Sequence, residues 1–323
     1  MNWLITGGCG FIGLALIRQL LQDDANRIRI IDNLSTGTRD DLAAVCSFTE
    51  VPYLEVAVNG DRVELVVADI REQEVAEHIA ADIDVIVHLA ANTGVGPSVE
   101  DPRTDCVTNV IGTLNYLEAA RQRGIDRFVF ASSGAPIGEV DPPIHEEMPA
   151  HPVSPYGASK LAGEGYCSAY FRSFGVNTVA LRFGNVYGPG SLHKSSVVAK
   201  FIRLALAGEV LEIFGDGSQT RDFIYIDDLI SALMLAATRP GVGGEVFQIA
   251  SNHETTVDEI ARSLVEVLQA NGITAPRIVN SEKRVGDVMR NFSDTSKART
   301  LLGWTPATEL NQGLQKTVDY FTG

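Results

Sequence analysis

The sequence lacks several features that mark whole classes of proteins. Its 323 residues include only four cysteines, Cys9, Cys46, Cys106 and Cys167, and no two of them form a CxxC pair. This spacing gives no support for a metal site and fits reduced thiols. No run of 18 apolar residues occurs and no basic-then-apolar leader precedes the first predicted strand, so we expect a soluble, cytoplasmic protein without a membrane span.

Positive charge is also scarce. The chain has 26 lysines and arginines against 41 aspartates and glutamates, which gives a formal net charge of −15. This balance disfavours nonspecific binding to nucleic acid, and any anionic ligand must be held by local groups. The sequence has no Pro/Ser-rich linker, internal repeat or low-complexity tract. Its composition is globular, and its length allows one large domain or a main domain with a smaller partner.

A glycine-rich segment between a strand and a helix is the first sign of a ligand site. Asn2–Thr6 reads as a strand, Gly7-Gly8-Cys9-Gly10-Phe11-Ile12-Gly13 follows, and a helical run continues to Leu21. Glycine permits the tight turn and lets the backbone approach a pyrophosphate at the helix N-terminus. Asp32 ends the second predicted strand, roughly 20 residues further on, where a carboxylate binds the adenosine ribose and repels a 2′-phosphate. The pattern predicts a dinucleotide site that prefers NAD over NADP.

A second pattern places a tyrosine and a lysine one helical turn apart. Tyr156 and Lys160 share a helix face, Ser154 suits the N-cap, Pro155 suits the first helical position, and Gly175 stands where a C-cap glycine would. A phenol ionises near pH ~10 in water, and a neighbouring ammonium favours the phenolate. The pair can therefore serve as a base at neutral pH, although a chance pair on an amphipathic helix is the alternative.

The segment from Tyr53 to Val67 predicts a hairpin. Its apolar residues alternate around Asn59-Gly60, a strong short hairpin signal. We expect the second arm, Val63 to Val67, to enter the sheet and to lead to Asp69, near where adenine would lie. A polar strand terminus is a fair alternative for Asp69.

The ends of two further predicted strands indicate where the substrate would react. Asp84 to Ala91 reads as a buried parallel strand that leads into a loop of small residues, and we interpret His88 on it as structural. The helix that follows carries Asn109 in its first half. Arg127 to Ala131 is the next strand, and Ser133 stands at its carboxyl end, where ligands bind in open α/β sheets. A serine there could donate to a substrate hydroxyl or could simply belong to a turn.

Together these motifs resemble the extended short-chain dehydrogenase/reductase family, the NAD-dependent nucleotide-sugar epimerases and dehydratases. The matching segments run almost end to end: Thr6 to Gly13, Asp32-Asn33, Asp69-Ile70, His88 to Ala91, Ser133, Tyr156 to Lys160, Asn185 to Pro189, Gly215 to Gly217, Arg221 to Phe223 and Arg284 to Asp287. The resemblance implies an α/β fold, a Rossmann-type doubly wound parallel sheet with a smaller C-terminal α/β substrate domain. It places an NAD-binding domain at residues 1–183, with return segments near 222–250, interleaved with a nucleotide-sugar-binding domain at 184–323.

The resemblance also implies roles for individual residues, with Tyr156 as catalytic base beside Lys160 and Ser133. The family usually ends the loop after the serine in Val-Tyr-Gly, where this chain has Pro136-Ile137-Gly138 and so lacks the aromatic residue. The residues expected to bind the cofactor are Gly7, Gly10, Phe11, Ile12, Gly13, Asp32, Asn33, Ser35, Thr36, Gly37, Asp69, Ile70, Leu89, Ala90, Ala91, Asn109, Ser132, Tyr156 and Lys160. Those expected to bind the substrate are Thr93, Ser133, Tyr156, Asn185, Val198, Phe214, Gln219, Arg221, Arg284 and Asp287.

The activity that the resemblance implies is 4-epimerisation of a UDP-sugar through transient oxidation at C4. UDP-glucose and UDP-galactose are the expected substrates, and the N-acetyl forms stay open because Asn291, four residues beyond Asp287, is small; Arg290 beside it would instead close the site. A homodimer is implied, packed through helices near Asp105–Arg123 and Ser154–Phe174.

Three alternatives stay open at this point. A 4,6-dehydratase of the family carries Asp-Glu after its catalytic threonine, where this chain has Gly134-Ala135. A uronate 4-epimerase would need a cation where Gly190-Ser191-Leu192 offers none, although His193 and Lys194 lie next to it. A regulatory protein that senses NAD without turnover is the third, and retention of Tyr156 and Lys160 argues against it.

Overall fold

A parallel β-sheet with helices on both faces forms the centre of the protein, shown here by a computed structural model. The structure describes residues 1–58, 60–192, 194, 196–282 and 289–323. The strands are β1 (Asn2–Thr6), β2 (Arg27–Asp32), β3 (Thr49–Glu50), β4 (Val63–Val67), β5 (Val85–His88), β6 (Arg127–Ser133), β7 (Asn177–Phe183), β8 (Asn185–Tyr187), β9 (Leu211–Phe214), β10 (Thr220–Arg221), β11 (Phe223–Tyr225), β12 (Val246–Ile249), β13 (Thr255–Thr256) and β14 (Ile278–Ser281). The helices are α1 (Phe11–Leu20), α2 (Arg39–Ala43), α3 (Gln73–Ile79), α4 (Val95–Glu100), α5 (Pro102–Cys106), α6 (Gly112–Arg123), α7 (Pro155–Phe174), α8 (Val197–Leu206), α9 (Ile226–Thr238), α10 (Val257–Ala270) and α11 (Leu310–Thr322). A π-helical turn, Val107–Ile111, joins α5 to α6.

The main sheet of the described chain has eight strands in the order β12-β7-β6-β5-β1-β2-β4-β3, and all neighbouring strands run parallel. From β1 the chain first builds the sheet on one side, through β2 to β4, and then places β5 on the other side of β1. This reversal opens a crevice at the carboxyl ends of β1 and β5, where doubly wound sheets bind their ligands. The predicted Rossmann-type α/β class is confirmed.

Alternate residues of the strands enter two separate apolar cores. Ile5 packs in one core with Leu16 of α1 and Leu233 of α9. Its neighbour Leu4 packs in the other core with Tyr116 of α6. Successive side chains of a strand point to opposite faces, so a central strand with helices on both faces is largely apolar on both. This explains why Trp3, Leu4 and Ile5 of β1 form a continuous apolar run rather than an alternating one.

The chain after β7 forms smaller sheets that stand beside the main one. β8 pairs in parallel with β11, β9 pairs in parallel with β14, and β10 pairs antiparallel with β13. The chain then returns to the main sheet at β12, next to β7. The boundary between residues 1–183 and 184–323 stays a prediction, because one apolar core includes both Leu181 and Val186.

The hairpin predicted around Asn59-Gly60 is wrong. Tyr53–Glu55 forms a single 3-10 turn, and β4 pairs in parallel with β2 and β3 instead; Asn59 itself lies outside the described residues. Glu64, a polar residue in the expected second arm, is buried within β4 and paired with Arg29 (Nε to Oε2, 3.1 Å). This polar position of the pattern therefore forms an internal ion pair and does not mark a face exposed to water.

Two features are absent from the part of the chain that the structure describes. No helix there is both long enough and apolar enough to cross a membrane. Nor does that part bring together three or more His, Cys, Asp or Glu side chains that could hold a metal ion.

Candidate active site

The glycine-rich loop closes against both neighbouring strands of the crevice. The Gly7 N–H donates to the Ile31 carbonyl of β2 (2.8 Å), and a Cβ on Gly7 would lie 2.9 Å from the Ala90 backbone, after β5. A Cβ on Gly13 would lie 2.6 Å from the Gly7 carbonyl oxygen. Helix α1 begins at Phe11 with neither a side-chain cap nor an acidic residue in its first turn. Its first N–H groups therefore point at a site that fits a pyrophosphate.

Asp32 organises the loops at the carboxyl end of β2. Its Oδ2 accepts the Cys9 N–H of the glycine-rich loop (2.9 Å), and its Oδ1 accepts the Leu34 N–H (2.8 Å). Burial raises the pKa of this carboxyl, while the two backbone N–H groups lower it. The following loop packs so closely that a Cβ on Gly37 would lie 2.0 Å from the Cys9 carbonyl oxygen. The position of Asp32 was predicted from the sequence, but its bond to the glycine-rich loop was not.

Asp69 lies shortly after β4, where the adenine end of the cofactor is expected. Its carboxylate accepts from Asn33 (3.1 Å) and pairs with Arg71 through two hydrogen bonds (2.9 and 2.8 Å). Arg71 holds the pKa of this carboxyl below its usual value. The predicted residues Ser35 and Thr36 are exposed in the loop beside it.

We expect NADP to bind about tenfold more weakly than NAD, a difference of ~1.4 kcal/mol. Its 2′-phosphate would face the Asp32 carboxylate. Both nearby guanidinium groups are already paired, Arg39 with Glu50 (2.6 and 2.9 Å) and Arg71 with Asp69. Calorimetric titration of nucleotide-free protein with each cofactor measures the ratio, and equal affinities would contradict the assignment of Asp32.

A hydrogen-bonded chain through His88 connects the interior to the loop after β5. The Ala90 N–H donates to Thr6 Oγ1 (3.1 Å), whose hydroxyl lies 2.9 Å from His88 Nδ1. On the other side Thr113 donates to the Asn109 carbonyl (2.6 Å) and lies 3.1 Å from His88 Nε2. Because Thr113 uses its proton on the carbonyl, Nε2 must carry the imidazole proton and Nδ1 must accept. This arrangement gives His88 a structural role in fixing the cofactor loop.

Stability should depend on pH through His88. Burial lowers the pKa of His88 to about 3, so the unfolded chain binds a proton below pH ~6.5 that the folded protein refuses. The free energy of unfolding should therefore fall as the pH drops, by about 2 kcal/mol from this group between pH 7 and pH 5. Urea titrations at both pH values should show a smaller fall in the free energy of unfolding for His88→Gln than for the wild type. The control His253→Gln, at an exposed position, should show the same fall as the wild type.

Asn109 fixes the same loop against α7. Its Oδ1 accepts the Asn92 N–H (2.7 Å), and its Nδ2 lies within hydrogen-bond distance of the Asn92 carbonyl (3.0 Å), Asp105 (2.8 Å) and Ser159 (3.1 Å). These partners occupy the amide, so its direct contact with the cofactor stays a prediction. Asp105, which the sequence reasoning missed, is buried, and its Oδ1 has no partner among the described residues.

The start of α7 brings the tyrosine and the lysine to the end of β6. Ser154 accepts the Gly157 N–H (3.1 Å) and Pro155 follows it, as the sequence predicted. Lys160 Nζ donates to the Ala131 carbonyl (2.8 Å) and lies 5.9 Å from the centre of the Tyr156 ring. The Ser133 hydroxyl is close enough to Tyr156 to lower the pKa of its phenol. The three predicted catalytic residues are therefore assembled at one edge of the sheet.

Burial controls the electrostatics of this group. It raises the pKa of Tyr156, which the neighbouring Ser133 hydroxyl lowers and the Asp105 charge raises further. It also lowers the pKa of Lys160 to about 8, against the opposing effect of Asp105 and Glu164. For the protein chain alone, the prediction that Lys160 brings the tyrosine pKa below its usual value is therefore wrong, because desolvation of the phenol prevails.

A buried ion pair supports the site from below. Glu164, one turn after Lys160, binds Arg182 of β7 through two hydrogen bonds (2.8 and 2.7 Å) and accepts from Ser132 (2.5 Å). The Ser132 hydroxyl therefore points to Glu164, and its predicted contact with the cofactor stays a prediction. The sequence could have indicated Glu164 as a neighbour of the site, because it lies four residues after Lys160 and therefore on the same helix face.

The predicted substrate residues fall into different surroundings. Asn185 is exposed, and pairing of β8 with β11 places it beside the Arg221-Asp222-Phe223 segment. Val198 is buried in the core, so a direct contact with substrate stays a prediction. Gln219 is buried as well and donates to the Phe214 carbonyl (2.9 Å). The remaining predicted residues are Thr93, which is exposed, Phe214 and Arg221, which are half-buried, and Arg284 and Asp287, which lie outside the described residues.

Comparison with known proteins agrees with this geometry. The family model described as the NAD dependent epimerase/dehydratase family matches residues 3–250. The UDP-glucose 4-epimerase of Mycolicibacterium smegmatis is 36% identical over 327 residues, which cover 99% of this chain and 98% of that protein. The crystal structure of the Thermotoga maritima UDP-glucose 4-epimerase with UDP-glucose is similar with a TM-score of 0.87 and 34% identity, covering 99% of this chain and 98% of the other.

A relative with another substrate is equally similar in structure. The UDP-glucuronic acid 4-epimerase of Bacillus cereus, in complex with UDP-glucuronic acid and NAD, has a TM-score of 0.87 and 31% identity, covering 99% of this chain and 98% of the other. Because the family model matches most of the chain and these relatives are more than 30% identical over nearly all of it, the chain belongs to the NAD-dependent epimerase/dehydratase family and is an enzyme of nucleotide-sugar chemistry with NAD as its cofactor.

Proposed function

We propose that this enzyme is a 4-epimerase of a UDP-sugar. The observation that carries the proposal is the assembly of Tyr156 and Lys160 of α7 with Ser133 at the carboxyl end of β6, in the same crevice as the glycine-rich loop. NAD, when bound, supplies the acceptor for the hydride of C4. The residues of the chain then have only to hold the sugar and to move one proton.

Tyr156 acts as the base for the sugar O4 hydroxyl. As phenolate, a form that burial disfavours in the chain alone and that the cationic nicotinamide of bound NAD would favour, it takes the O4 proton while C4 loses hydride, which leaves a 4-keto sugar. Ser133 donates a hydrogen bond to O4 and so holds it beside the phenol. When hydride returns to the opposite face of C4, Tyr156 gives the proton back to O4. The protons balance over the cycle, and the cofactor ends as it began.

The loop after Ser133 distinguishes this reaction from dehydration. Elimination across C5 and C6 needs an acid and a base near those carbons, and Gly134-Ala135 supplies neither. The Ala135 N–H instead donates to Ser133 Oγ (3.2 Å) and helps to fix that hydroxyl. The loop thus supports a site that handles only the O4 proton.

The surroundings of Asn291 support acceptance of N-acetyl sugars. The Asn291 N–H donates to Thr220 Oγ1 (3.2 Å), which places the residue next to Arg221. Arg290, which could have closed the site, is held by Glu254 through two hydrogen bonds of 2.8 Å. We therefore infer that UDP-GlcNAc and UDP-GalNAc fit alongside UDP-Glc and UDP-Gal.

Products formed from separate UDP-sugars, identified by NMR, test the proposal. We expect C4 epimers of UDP-Glc and UDP-GlcNAc, with UDP-glucuronate converted least. Asn291→Tyr should abolish conversion of the N-acetyl sugar only, while Asn291→Ala should retain both. A 4-keto-6-deoxy product would show a dehydratase, and bound NAD without any product would show a regulator. Conversion of UDP-Gal without UDP-GalNAc, unchanged in Asn291→Ala, would contradict the role of Asn291.

We also propose that the protein is a homodimer through α6, α7 and the π-helical turn between α5 and α6. The outer side of α7 carries exposed uncharged residues, among them Ala158, Gly165 and Ala169, and Ile111 of the π-helical turn is 42% exposed. A second copy packed on this side would bury a helix face that is otherwise apolar in water. Light scattering should give about twice the 34.8 kDa chain mass. Gly165→Arg should give the mass of one chain, because a large charged side chain would prevent the two copies from packing.

A further inference from the structure

The loop after β8 brings a lysine onto the glycine-rich loop. Lys194 Nζ lies 5.0 Å from the centre of the Phe11 ring. A Cβ on Gly190 would lie 3.4 Å from Cδ2 of the same ring. The chain that follows β8 therefore passes beside the start of α1. The two segments are far apart in sequence, so only the fold brings them together.

The ammonium of Lys194 has no counterion within the described chain. The side chain is largely buried, and burial lowers the pKa of Lys194 without an opposing carboxylate. No described carboxylate or carbonyl forms an ion pair or hydrogen bond with Nζ, whose aromatic contact is Phe11. Buried charges in proteins are normally paired, because desolvation of an isolated charge is costly. The missing partner is expected to be an anion from outside the chain.

The position of Phe11 indicates which anion this is. Phe11 is the first residue of α1, and the backbone bond from the Leu14 N–H to the Gly10 carbonyl (2.9 Å) begins the helix. The N–H groups before Leu14 thus have no helical acceptor, and no side chain caps them. Phe11 thus brings together two positive groups, the Lys194 ammonium beside its ring and the N-terminus of the helix that it begins. Two such groups favour a ligand with two adjacent negative groups over a single carboxylate.

We propose that Lys194 binds the pyrophosphate of NAD from the side opposite to α1. The helix supplies backbone N–H groups from the NAD-binding part, and Lys194 supplies the charge from the loop after β8. The cofactor then becomes a bridge between the two parts of the chain. NAD cannot leave without breaking the Lys194 contact, which suits an enzyme that must keep its cofactor through every cycle. The proposal rests on the family's use of NAD and is independent of the sugar.

Calorimetry on nucleotide-free protein tests this role without turnover. The probes are NAD, ADP-ribose, adenosine, UDP, UDP-glucose and UDP-glucuronate, and the variants are Lys194→Met and Lys194→Arg. Loss of a charge-assisted contact should weaken NAD and ADP-ribose about tenfold to a hundredfold in Lys194→Met. Adenosine and UDP, which lack the cofactor's pyrophosphate, should be unaffected, and Lys194→Arg should restore most of the affinity. Lys316→Met is the matched control, since Lys316 lies 5.3 Å from the centre of the Tyr225 ring on a different part of the surface.

Three outcomes would overturn the proposal. Unchanged NAD affinity in Lys194→Met would show that the ammonium does not touch the pyrophosphate. A loss confined to UDP would place Lys194 on the substrate's diphosphate. A loss confined to UDP-glucuronate, with UDP-glucose unaffected, would place it on a sugar carboxylate. Circular dichroism and thermal midpoints of the variants show that each one is folded, and none of these readouts depends on epimerisation.

Discussion

Replacement of Tyr156 by phenylalanine should lower turnover about 10²–10⁴-fold, the usual effect of losing a general base, while NAD stays bound. The substitution removes one oxygen from a buried ring and leaves α7 intact. Lys160 keeps its bond to the Ala131 carbonyl (2.8 Å), so the neighbouring cation stays in place. Turnover is measured as epimer formation, and bound NAD is measured after release from the purified protein.

A second tyrosine on the same helix provides the matched control. Tyr166 is 38% exposed on α7, and Tyr166→Phe should change neither turnover nor cofactor content. If Tyr156→Phe kept more than half of the wild-type activity, the base would have to be another residue. Loss of both activity and NAD would instead indicate that the variant had damaged the cofactor site.

The local chemistry of α7 and of the glycine-rich loop could be predicted because short-range rules determine it. Ser154 and Gly175 cap the helix according to their own backbone preferences, and the glycines before Phe11 occur where side chains would collide. The strand that ends in Asp32 was also predicted from its own residues, Arg27 to Ile31. Such features depend on neighbours within a few residues, which a single sequence displays.

Features that depend on distant contacts could not be predicted in the same way. Glu64 read as a polar position of a hairpin because its partner Arg29 is 35 residues away. The pKa of Tyr156 was expected to fall, but burial from several elements raises it. The sequence indicates Lys194 only as a cation near the sugar. Its contact with Phe11 arises because the fold brings two loops together. The burial of a side chain depends on many elements of the fold, so its effect on a pKa cannot be predicted from a single motif.

The buried pair of Arg182 and Glu164 should have the largest effect on stability. Both side chains are 5% exposed, and two hydrogen bonds of 2.8 and 2.7 Å join them. Arg182→Met would leave the Glu164 carboxylate in the interior with only Ser132 as a partner. Breaking such a pair typically costs about 3–5 kcal/mol, because one charge remains buried without compensation.

Two comparisons separate the buried charge from the loss of contacts. Arg39→Met breaks an ion pair whose side chains are 51% and 43% exposed, and it should cost much less than Arg182→Met, because water screens and solvates an exposed pair. The double variant Arg182→Met with Glu164→Leu removes both charges and should recover part of the loss, since no isolated carboxylate remains. Free energies of unfolding from urea titration measure all three. Equal costs for Arg182→Met and Arg39→Met would mean that Glu164 finds water or another donor, and the interior beneath Lys160 would then be less dry than its burial indicates.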